Sequence, residues 1–302
     1  MLTIANGLQV QAQAAVSKVA LARRPSRFFV SAMLAGAYVG IGVLLMLATA
    51  GPLLAAGSPW TPLVQGMVFG IALVLVIFAG SELATSAMMI LTQGALLGRV
   101  PVRDAVATLL LALGGNLVGA VTLAALVSGA GTISPTNGAG TMLAYLIEHK
   151  TVESNGQLFF RGVLCNVLVC LAIWSVGRMS QEIAKIAVVA WCLFAFVSMG
   201  FEHVIANMTT FSLAIMQGVD GATIGSMARN LLWVGLGNTL GGALFVGAAY
   251  VWTAKPTRRR HAWHLTPGDE DAAARETVRE RAELEASVRR DEAEGVAPES
   301  GR

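Results

Sequence analysis

The sequence is poor in charge and in cysteine, and both shortages exclude classes of protein. Only 13% of its 302 residues are charged, whereas 55% are hydrophobic and 33 are glycine. Soluble domains carry about 25% charged residues, so the composition argues against a soluble enzyme. The three cysteines, Cys165, Cys170 and Cys192, lie inside apolar segments with neither disulfide-framework nor metal-ligand spacing, and we expect them to be small buried hydrophobes.

Motifs that carry chemistry are also missing from the apolar part of the chain. It contains no nucleophile paired with a base, no cluster of metal ligands and no nucleotide-binding loop. We therefore expect no enzyme activity and no cofactor. The formal net charge of +3 does not indicate nucleic acid binding, because the basic residues lie between apolar segments and at the ends of the chain.

The chain has long apolar runs instead. A membrane-spanning helix needs about 20 apolar residues, and six segments reach that length: residues 28–50, 62–98, 104–128, 158–177, 186–217 and 230–253. Basic residues concentrate in the N-terminal region, in the second and fourth connections and after the last segment. By the positive-inside rule, this pattern predicts an all-α polytopic membrane protein with six transmembrane helices and both termini in the cytoplasm.

The apolar segments divide the chain into three parts. Residues 1–26 are predicted to be a cytoplasmic amphipathic segment, either at the membrane interface or packed against the cytoplasmic face, and not a cleaved signal peptide. Residues 27–254 are the predicted transmembrane domain. Residues 255–302 mix charges of both signs with few large apolar residues, which predicts a charged cytoplasmic tail.

Two of the apolar segments are too long for one crossing, and each has a carboxylate in its middle. Helices of these lengths would measure about 50 Å against a hydrocarbon core of about 30 Å. The stretches GSELATSAM and GFEHVIANM place Gly80 with Glu82, and Gly200 with Glu202, at mid-segment. We predict that helices 2 and 5 are broken there, and that each glutamate accepts hydrogen bonds from the amides of the next half-helix.

The two predicted breaks belong to an internal repeat. Gly80 and Gly200 are 120 residues apart, and Asn116 in GNLVGA lies 122 residues before Asn238 in GNTLGGA. Three spans are an odd number, so the second copy enters the membrane from the opposite side. This predicts an inverted 3+3 repeat whose breaks face each other near the midplane, where such folds place the solute path. Only the second break carries a histidine, His203, which is the candidate to handle the solute.

Five segments then establish a resemblance in order and spacing. They are AGAYVGIG, FGIALVLVIFAGSELATSAM, RGVLCNVLVCLAIW, GFEHVIANMTTFSL and NLLWVGLGNTLGGALF. From about residue 27 to residue 252 the chain resembles the formate/nitrite transporter family, and among its members it is most similar to the bacterial nitrite channel. The resemblance implies a lipid-embedded homopentamer of the bacterial cytoplasmic (inner) membrane, with an aquaporin-like fold and a separate anion path in each protomer.

The resemblance also implies a polar and an apolar set of residues along that path. The polar set consists of the central histidine His203, Thr85 of the first break, Asn207, Asn166, and Lys150 as the residue that attracts anions at the extracytoplasmic side. The apolar set, matching the two constrictions, is Phe69, Leu73, Leu83 and Phe196. Family members commonly have phenylalanine where this chain has Ala84, which leaves the width of the constriction open.

The implied function is passage of a small monovalent anion, with nitrite as the first candidate. We expect a proton shared with His203 to make the permeating species effectively neutral at the apolar constrictions, while Thr85 and Asn207 donate hydrogen bonds to its oxygens. Formate and hydrosulfide are alternatives, because pore residues hardly distinguish such small anions. A neutral-solute channel is a further alternative, although it has less need of a central histidine and a basic outer mouth.

Overall fold

The computed structural model describes residues 1–254 and, in the C-terminal tail, residues 279, 282, 283 and 286. Within this part of the chain the structure is helical and contains no strand, which agrees with the predicted fold class. The charged tail predicted for residues 255–302 lies almost wholly outside the described residues.

The helices follow one another with short connections. In chain order they are α1 (Ile4–Ala22), α2 (Pro25–Ala55), α3 (Thr61–Phe69), α4 (Ile71–Phe78), α5 (Ala84–Leu96), α6 (Val102–Ala130), α7 (Gly138–Val152), α8 (Asn155–Arg178), α9 (Glu182–Ser198), α10 (Val204–Met216) and α11 (Ile224–Leu240). A π-helical stretch, Gly241–Ala248, joins α11 to α12 (Ala249–Ala254).

Five helical stretches of the described chain are long and apolar enough to cross a membrane. They are Pro25–Ala55, Thr61–Phe78, Val102–Ala130, Asn155–Arg178 and Ile224–Ala254. The remaining predicted span, residues 186–217, divides into α9 and α10, which have 17 and 13 residues. Length and composition therefore identify five of the six predicted spans directly.

The N-terminal helix packs against other helices. α1 begins after Thr3, whose side chain accepts a hydrogen bond from the amide of Asn6, as a good N-cap does. Leu8, Ala15 and Val16 are fully buried, and the helix contacts mainly α5 and α8. α1 is thus part of the packed structure, whereas the cytoplasmic location of residues 1–26 and their position relative to the membrane stay predictions.

Two helix pairs make very close backbone contacts at equivalent glycines. A Cβ atom on Gly119 of α6 would lie 1.8 Å from the carbonyl oxygen of Met33 in α2. A Cβ atom on Gly241, at the end of α11, would lie 2.3 Å from the carbonyl oxygen of Val163 in α8. Only glycine allows helices to approach so closely, and packing of this kind is typical of helices in lipid.

Candidate functional site

The first predicted break lies between α4 and α5. Gly80 has a φ of +76°, and the amide of Ser81 donates to the carbonyl oxygen of Val76 over 3.1 Å. A Cβ atom on Gly80 would meet no atom within 4 Å, so the backbone conformation and not a lack of space favours glycine. Residues 81–83 are not helical, and α5 starts at Ala84.

The second predicted break, between α9 and α10, has the same geometry. Gly200 has a φ of +69°, and the amide of Phe201 donates to the carbonyl oxygen of Phe196 over 3.0 Å. Residues 201–203 are not helical, and α10 starts at Val204. At both positions, therefore, a left-handed glycine ends one helix and three residues lead to the next.

An asparagine from a neighbouring helix holds each of these turns. Oδ1 of Asn116, in α6, accepts a hydrogen bond from the amide of Ala84 over 2.9 Å. Its Nδ2 donates to the carbonyl oxygens of Ala32 and Glu82, over 2.8 and 2.9 Å. The side chain thus joins α2, the turn and the first amide of α5.

Asn238 repeats this arrangement in the second half of the chain. Its Oδ1 accepts from the amide of Val204 over 2.9 Å, and its Nδ2 donates to the carbonyl oxygens of Gly162 and Glu202, over 2.7 and 2.9 Å. The prediction that Glu82 and Glu202 accept hydrogen bonds from the amides of the following half-helices is therefore wrong. A carboxylate only accepts, whereas an asparagine amide can bond an N–H and a carbonyl at once, and both are present at each turn.

The two glutamates pair with lysines instead. Lys18 of α1 forms an ion pair with Glu82, and Lys150 of α7 donates to both carboxylate oxygens of Glu202 over 2.6 and 2.8 Å. Lys150 and Glu202 are 9% and 5% exposed. A buried carboxylate needs such a partner because desolvation of an unpaired charge is costly. An ion pair thus joins the first turn to α1 and the second turn to α7.

The first turns of α5 and α10 meet at Thr85 and His203. Thr85 is the second residue of α5, His203 is the N-cap of α10, and Thr85 Oγ1 lies 3.1 Å from His203 Nε2. Both side chains are buried. The N-termini of α5 and α10 therefore meet at these two side chains. Each N-terminus carries about half a positive charge from its helix dipole.

The hydrogen bonds of His203 fix its tautomer. Nδ1 accepts a hydrogen bond from the amide of Ala206 over 3.2 Å, so in the neutral ring it carries no proton. Nε2 then carries the proton and donates it toward Thr85 Oγ1. A second proton on Nδ1 would break the bond that caps α10, so the fold favours a neutral histidine with a donor at Nε2.

A cavity of about 320 Å³ extends from His203 to the Lys150–Glu202 pair. Phe69 and Phe196 line it, with ring centroids 5.7 Å apart, and the ring of Phe196 is nearly parallel to that of His203 with centroids 6.0 Å apart. This cavity brings together five of the predicted path residues: Lys150, Asn207, His203, Phe69 and Phe196. Thr85 adjoins it through its contact with His203.

Besides Thr85, three predicted path residues do not line this cavity. Asn166 lies in α8, where its Nδ2 donates to the carbonyl oxygens of Thr85 and Asn238 over 3.1 and 2.7 Å. Leu73 and Leu83 are buried, in α4 and in the turn before α5. Asn166 therefore joins the two halves at the level of Thr85, and the two leucines lie outside the cavity lined by the phenylalanines.

Asn207 forms two hydrogen bonds within the protein that the sequence did not predict. Its Nδ2 donates to Glu202 Oε2 over 2.5 Å and to Oδ1 of Asn230 over 2.7 Å. Both amide hydrogens are thereby used within the protein, so donation from Asn207 to the oxygens of an anion, as expected from the sequence, requires one of these bonds to break. The carboxylate of Glu202 can only accept, and it therefore fixes which end of the Asn207 amide faces it.

Glu153 and Arg161 form a second charged pair in the wall of the cavity. Glu153 is 7% exposed, and within the described part of the chain its Oε2 has no hydrogen-bond partner. Burial raises the pKa of this carboxyl above its usual value, and the negative charge of Glu202 raises it further, against the opposing effect of Arg161. Arg161 is thus held by a buried carboxylate.

The chain is similar to known membrane transport proteins. Residues 6–252 match the family described as formate/nitrite transporter. The chain belongs to the formate/nitrite transporter family. The nitrite transporter NirC of Salmonella typhimurium is 45% identical over 244 residues, which cover 80% of this chain and 88% of that protein.

Two solved structures of this family are also similar. An FNT family ion channel is 43% identical with a TM-score of 0.77, and the match covers 83% of this chain and 99% of that one. A pentameric formate channel with formate bound is 27% identical with a TM-score of 0.67, covering 77% and 98% of the two chains. This member of the formate/nitrite transporter family is accordingly an integral membrane protein and not an enzyme.

Several residues of the site were missed by sequence reasoning in this family member. The duplicated GN pair identified Asn116 and Asn238 as repeated, but their bonds to the turns were not predicted. Lys18, Glu153 and Asn230 carried no recognisable signal.

Proposed function

We propose that this protein is a membrane channel for small monovalent anions, with nitrite as its substrate. Family membership and the 45% identity to a protein named a nitrite transporter support the proposal. The single observation that carries it is the meeting of two helix N-termini at Thr85 and His203, beside a cavity lined by Lys150. Converging N-termini favour an anion without placing a formal charge in the path.

The architecture that fits this function is an aquaporin-like inverted 3+3 repeat of six spans. In it, α3, α4 and α5 form one broken span, and α9 with α10 forms the other. The recurrence of the glycine turn, the asparagine cap and the glutamate–lysine pair in both halves supports the repeat. Because each half has three spans, the two copies have opposite orientations and their breaks face each other.

The proposed assembly is a homopentamer in the bacterial cytoplasmic membrane, with residues 27–254 as the channel domain. The similar pentameric formate channel supports this oligomer. Basic residues before α2 and after residue 254 favour cytoplasmic termini, with residues 1–26 and 255–302 on that side. The cavity lined by Lys150 then opens toward the extracytoplasmic side.

The order of residues along this path supports proton-linked permeation. Lys150 lines the outer cavity, where it is paired with Glu202. Phe69 and Phe196 impose an apolar passage that an ion crosses at high cost. A solute that takes up a proton in the cavity crosses as a neutral acid. His203 exchanges its hydrogen bond to Thr85 for one to this acid, donated from Nε2. Leu73 and Leu83 form the second constriction, toward the cytoplasm.

Competition flux in liposomes tests this proposal. Purified protein is reconstituted, nitrite uptake is measured, and formate is added as a competitor; protein-free liposomes are the control. We expect saturable nitrite uptake that formate reduces only at higher concentration than unlabelled nitrite. Stronger inhibition by formate would favour a formate channel, for which the similar solved channel with formate bound is the supporting observation.

Liposome swelling separates the anion channel from a neutral-solute channel. Swelling in glycerol at the rate of protein-free liposomes, together with nitrite uptake, is the expected result. Rapid glycerol entry without nitrite uptake would overturn the proposal.

A further inference from the structure

A chain of four buried polar side chains leads from the cavity wall into the protein. Lys150 donates to Glu202, Glu202 accepts from Nδ2 of Asn207, and the same Nδ2 donates to Oδ1 of Asn230 in α11. Asn230 is fully buried and does not line the cavity. Lys150, Glu202 and Asn207 do line it.

Lys150 and Glu202 determine which atom donates in each of these hydrogen bonds. Lys150 only donates, and the ionised Glu202 only accepts, so Asn207 must present its amide nitrogen to Glu202. The second hydrogen of that nitrogen requires an acceptor, so Asn230 must present Oδ1 to it. Nδ2 of Asn230 then has no partner within the described part of the chain, which costs about 1–3 kcal/mol for a buried donor.

The remaining polar atom of Asn207 is its carbonyl oxygen. Asn207 lines the cavity four residues after His203, and none of the described residues donates to this oxygen. A carbonyl oxygen repels the oxygen of an anion and accepts a hydrogen bond from the O–H of an undissociated acid. Asn207 therefore distinguishes the two forms of a weak acid by its orientation.

We propose that Asn230 is a positioning residue that, together with Glu202, holds Asn207 with its carbonyl oxygen toward the solute path. Asn230 thereby makes the path beside His203 selective for the undissociated acid over its anion. This inference deepens the proposed function and rests on it.

The other half of the chain contains no counterpart of this pair. The repeat places Ala87 at the position of Asn207 and Thr108 at the position of Asn230. Ala87 has no side-chain hydrogen-bonding group, and Thr108 is 2% exposed. The carbonyl oxygen of Asn207 therefore has no equivalent at Ala87, and it lies on the side of His203 that faces the cavity. Under the proposed function, an incoming anion takes up its proton in this cavity.

Nitrate and nitrite together provide the test. Both are small oxyanions, but nitric acid is strong and stays ionised, whereas nitrous acid is weak. Liposomes with the wild type, Asn230→Ala and Asn230→Asp are compared for the ratio of nitrate to nitrite uptake at a fixed, mildly acidic pH. Thr108→Ala is the matched control, because it removes a buried polar side chain at the equivalent position of the other half.

In Asn230→Ala, one amide hydrogen of Asn207 loses its acceptor, and Asn207 can turn that donor toward an anion. We expect the ratio of nitrate to nitrite uptake to rise about tenfold, the effect of one hydrogen bond. Asn230→Asp retains an acceptor and is expected to keep the wild-type ratio, as is Thr108→Ala. Asn230→Ser serves as a second variant if Asn230→Ala does not fold, and its shorter side chain predicts the same rise.

An unchanged ratio in folded Asn230→Ala or Asn230→Ser, even with a lower rate, would overturn the inference, since a merely structural residue changes both fluxes together. The same ratio shift in Thr108→Ala would also overturn it. A wild type that transports no nitrite would instead overturn the proposed function.

Discussion

The turns before α5 and α10 share a scaffold and differ in their chemistry. In both, a left-handed glycine is followed by a glutamate paired with a lysine, and an asparagine caps the next helix. The second turn has His203 where the first has Leu83, and the first has Thr85 where the second has Ile205. Features that both turns share thus build the fold, and features that only one has supply the site.

The largest expected effect comes from the shared asparagines. Asn238→Leu leaves a buried amide and two carbonyls without their bonds, so we expect the free energy of unfolding to fall by about 3 kcal/mol or more. Asn116→Leu should cost a similar amount, because it loses the equivalent bonds. Denaturant unfolding in detergent measures both.

Thr122→Ala is the control for these two variants, since its hydroxyl is exposed and bonds only its own helix. A large loss for one asparagine and less than 1 kcal/mol for the other would contradict the view that the two turns share one scaffold.

A smaller effect on stability, but a clear one on flux, is expected for His203→Asn. Asparagine also caps helices well, so α10 should persist. Its shorter side chain does not reach Thr85, so the donor at the meeting point of the two helices is lost. We expect nitrite flux to fall about tenfold and its pH dependence to change, as measured by uptake between pH 5 and 8.

His149→Asn is the matched control, because His149 lines the same cavity but is exposed. If His203→Asn retained the pH dependence of the wild type, the proposed role of His203 in proton-linked permeation would be excluded.

The smallest expected effect is that of Glu153, which is not among the features that the two turns share. Its pKa is raised, so the carboxyl takes up a proton at a higher pH than an ordinary glutamate. Ionised Glu153 therefore reduces stability at high pH, and this penalty disappears as pH falls through the raised pKa. Over the same range the cavity loses one negative charge, which lowers the KM for an anion.

Glu153→Gln keeps the neutral form at every pH. We expect its KM for nitrite to be about twofold to threefold lower than that of the wild type at neutral pH and equal to it in acid, consistent with one partly screened charge. Glu148→Gln, which removes an exposed carboxylate of α7, should change the KM less. A KM that varies with pH in Glu153→Gln as it does in the wild type would contradict the assignment.

The sequence allowed the positions of the two turns to be predicted because glycine and a mid-membrane carboxylate are both costly in a continuous helix. It did not reveal which side chains hold the turns. Glutamate was the expected cap because it is adjacent in sequence, yet the asparagines of α6 and α11 bond both kinds of backbone group.

Contacts between distant elements were the hardest to foresee. Lys18 meets Glu82 only because α1 packs against the bundle, and the resemblance alone placed Thr85 and His203 on one path. The orientation of Asn207 could not be predicted, since it depends both on Glu202 and on Asn230, a residue in another helix that gives no pattern in the sequence.

The two helix N-termini that meet at Thr85 and His203 have a consequence for ions of the opposite sign. Their combined dipoles amount to about one positive charge, and no change of pH can titrate it, since it belongs to the backbone. Sodium and potassium ions are therefore repelled from the centre in acid and in alkali alike. A variant in which anion flux has been abolished by side-chain changes should therefore still exclude cations.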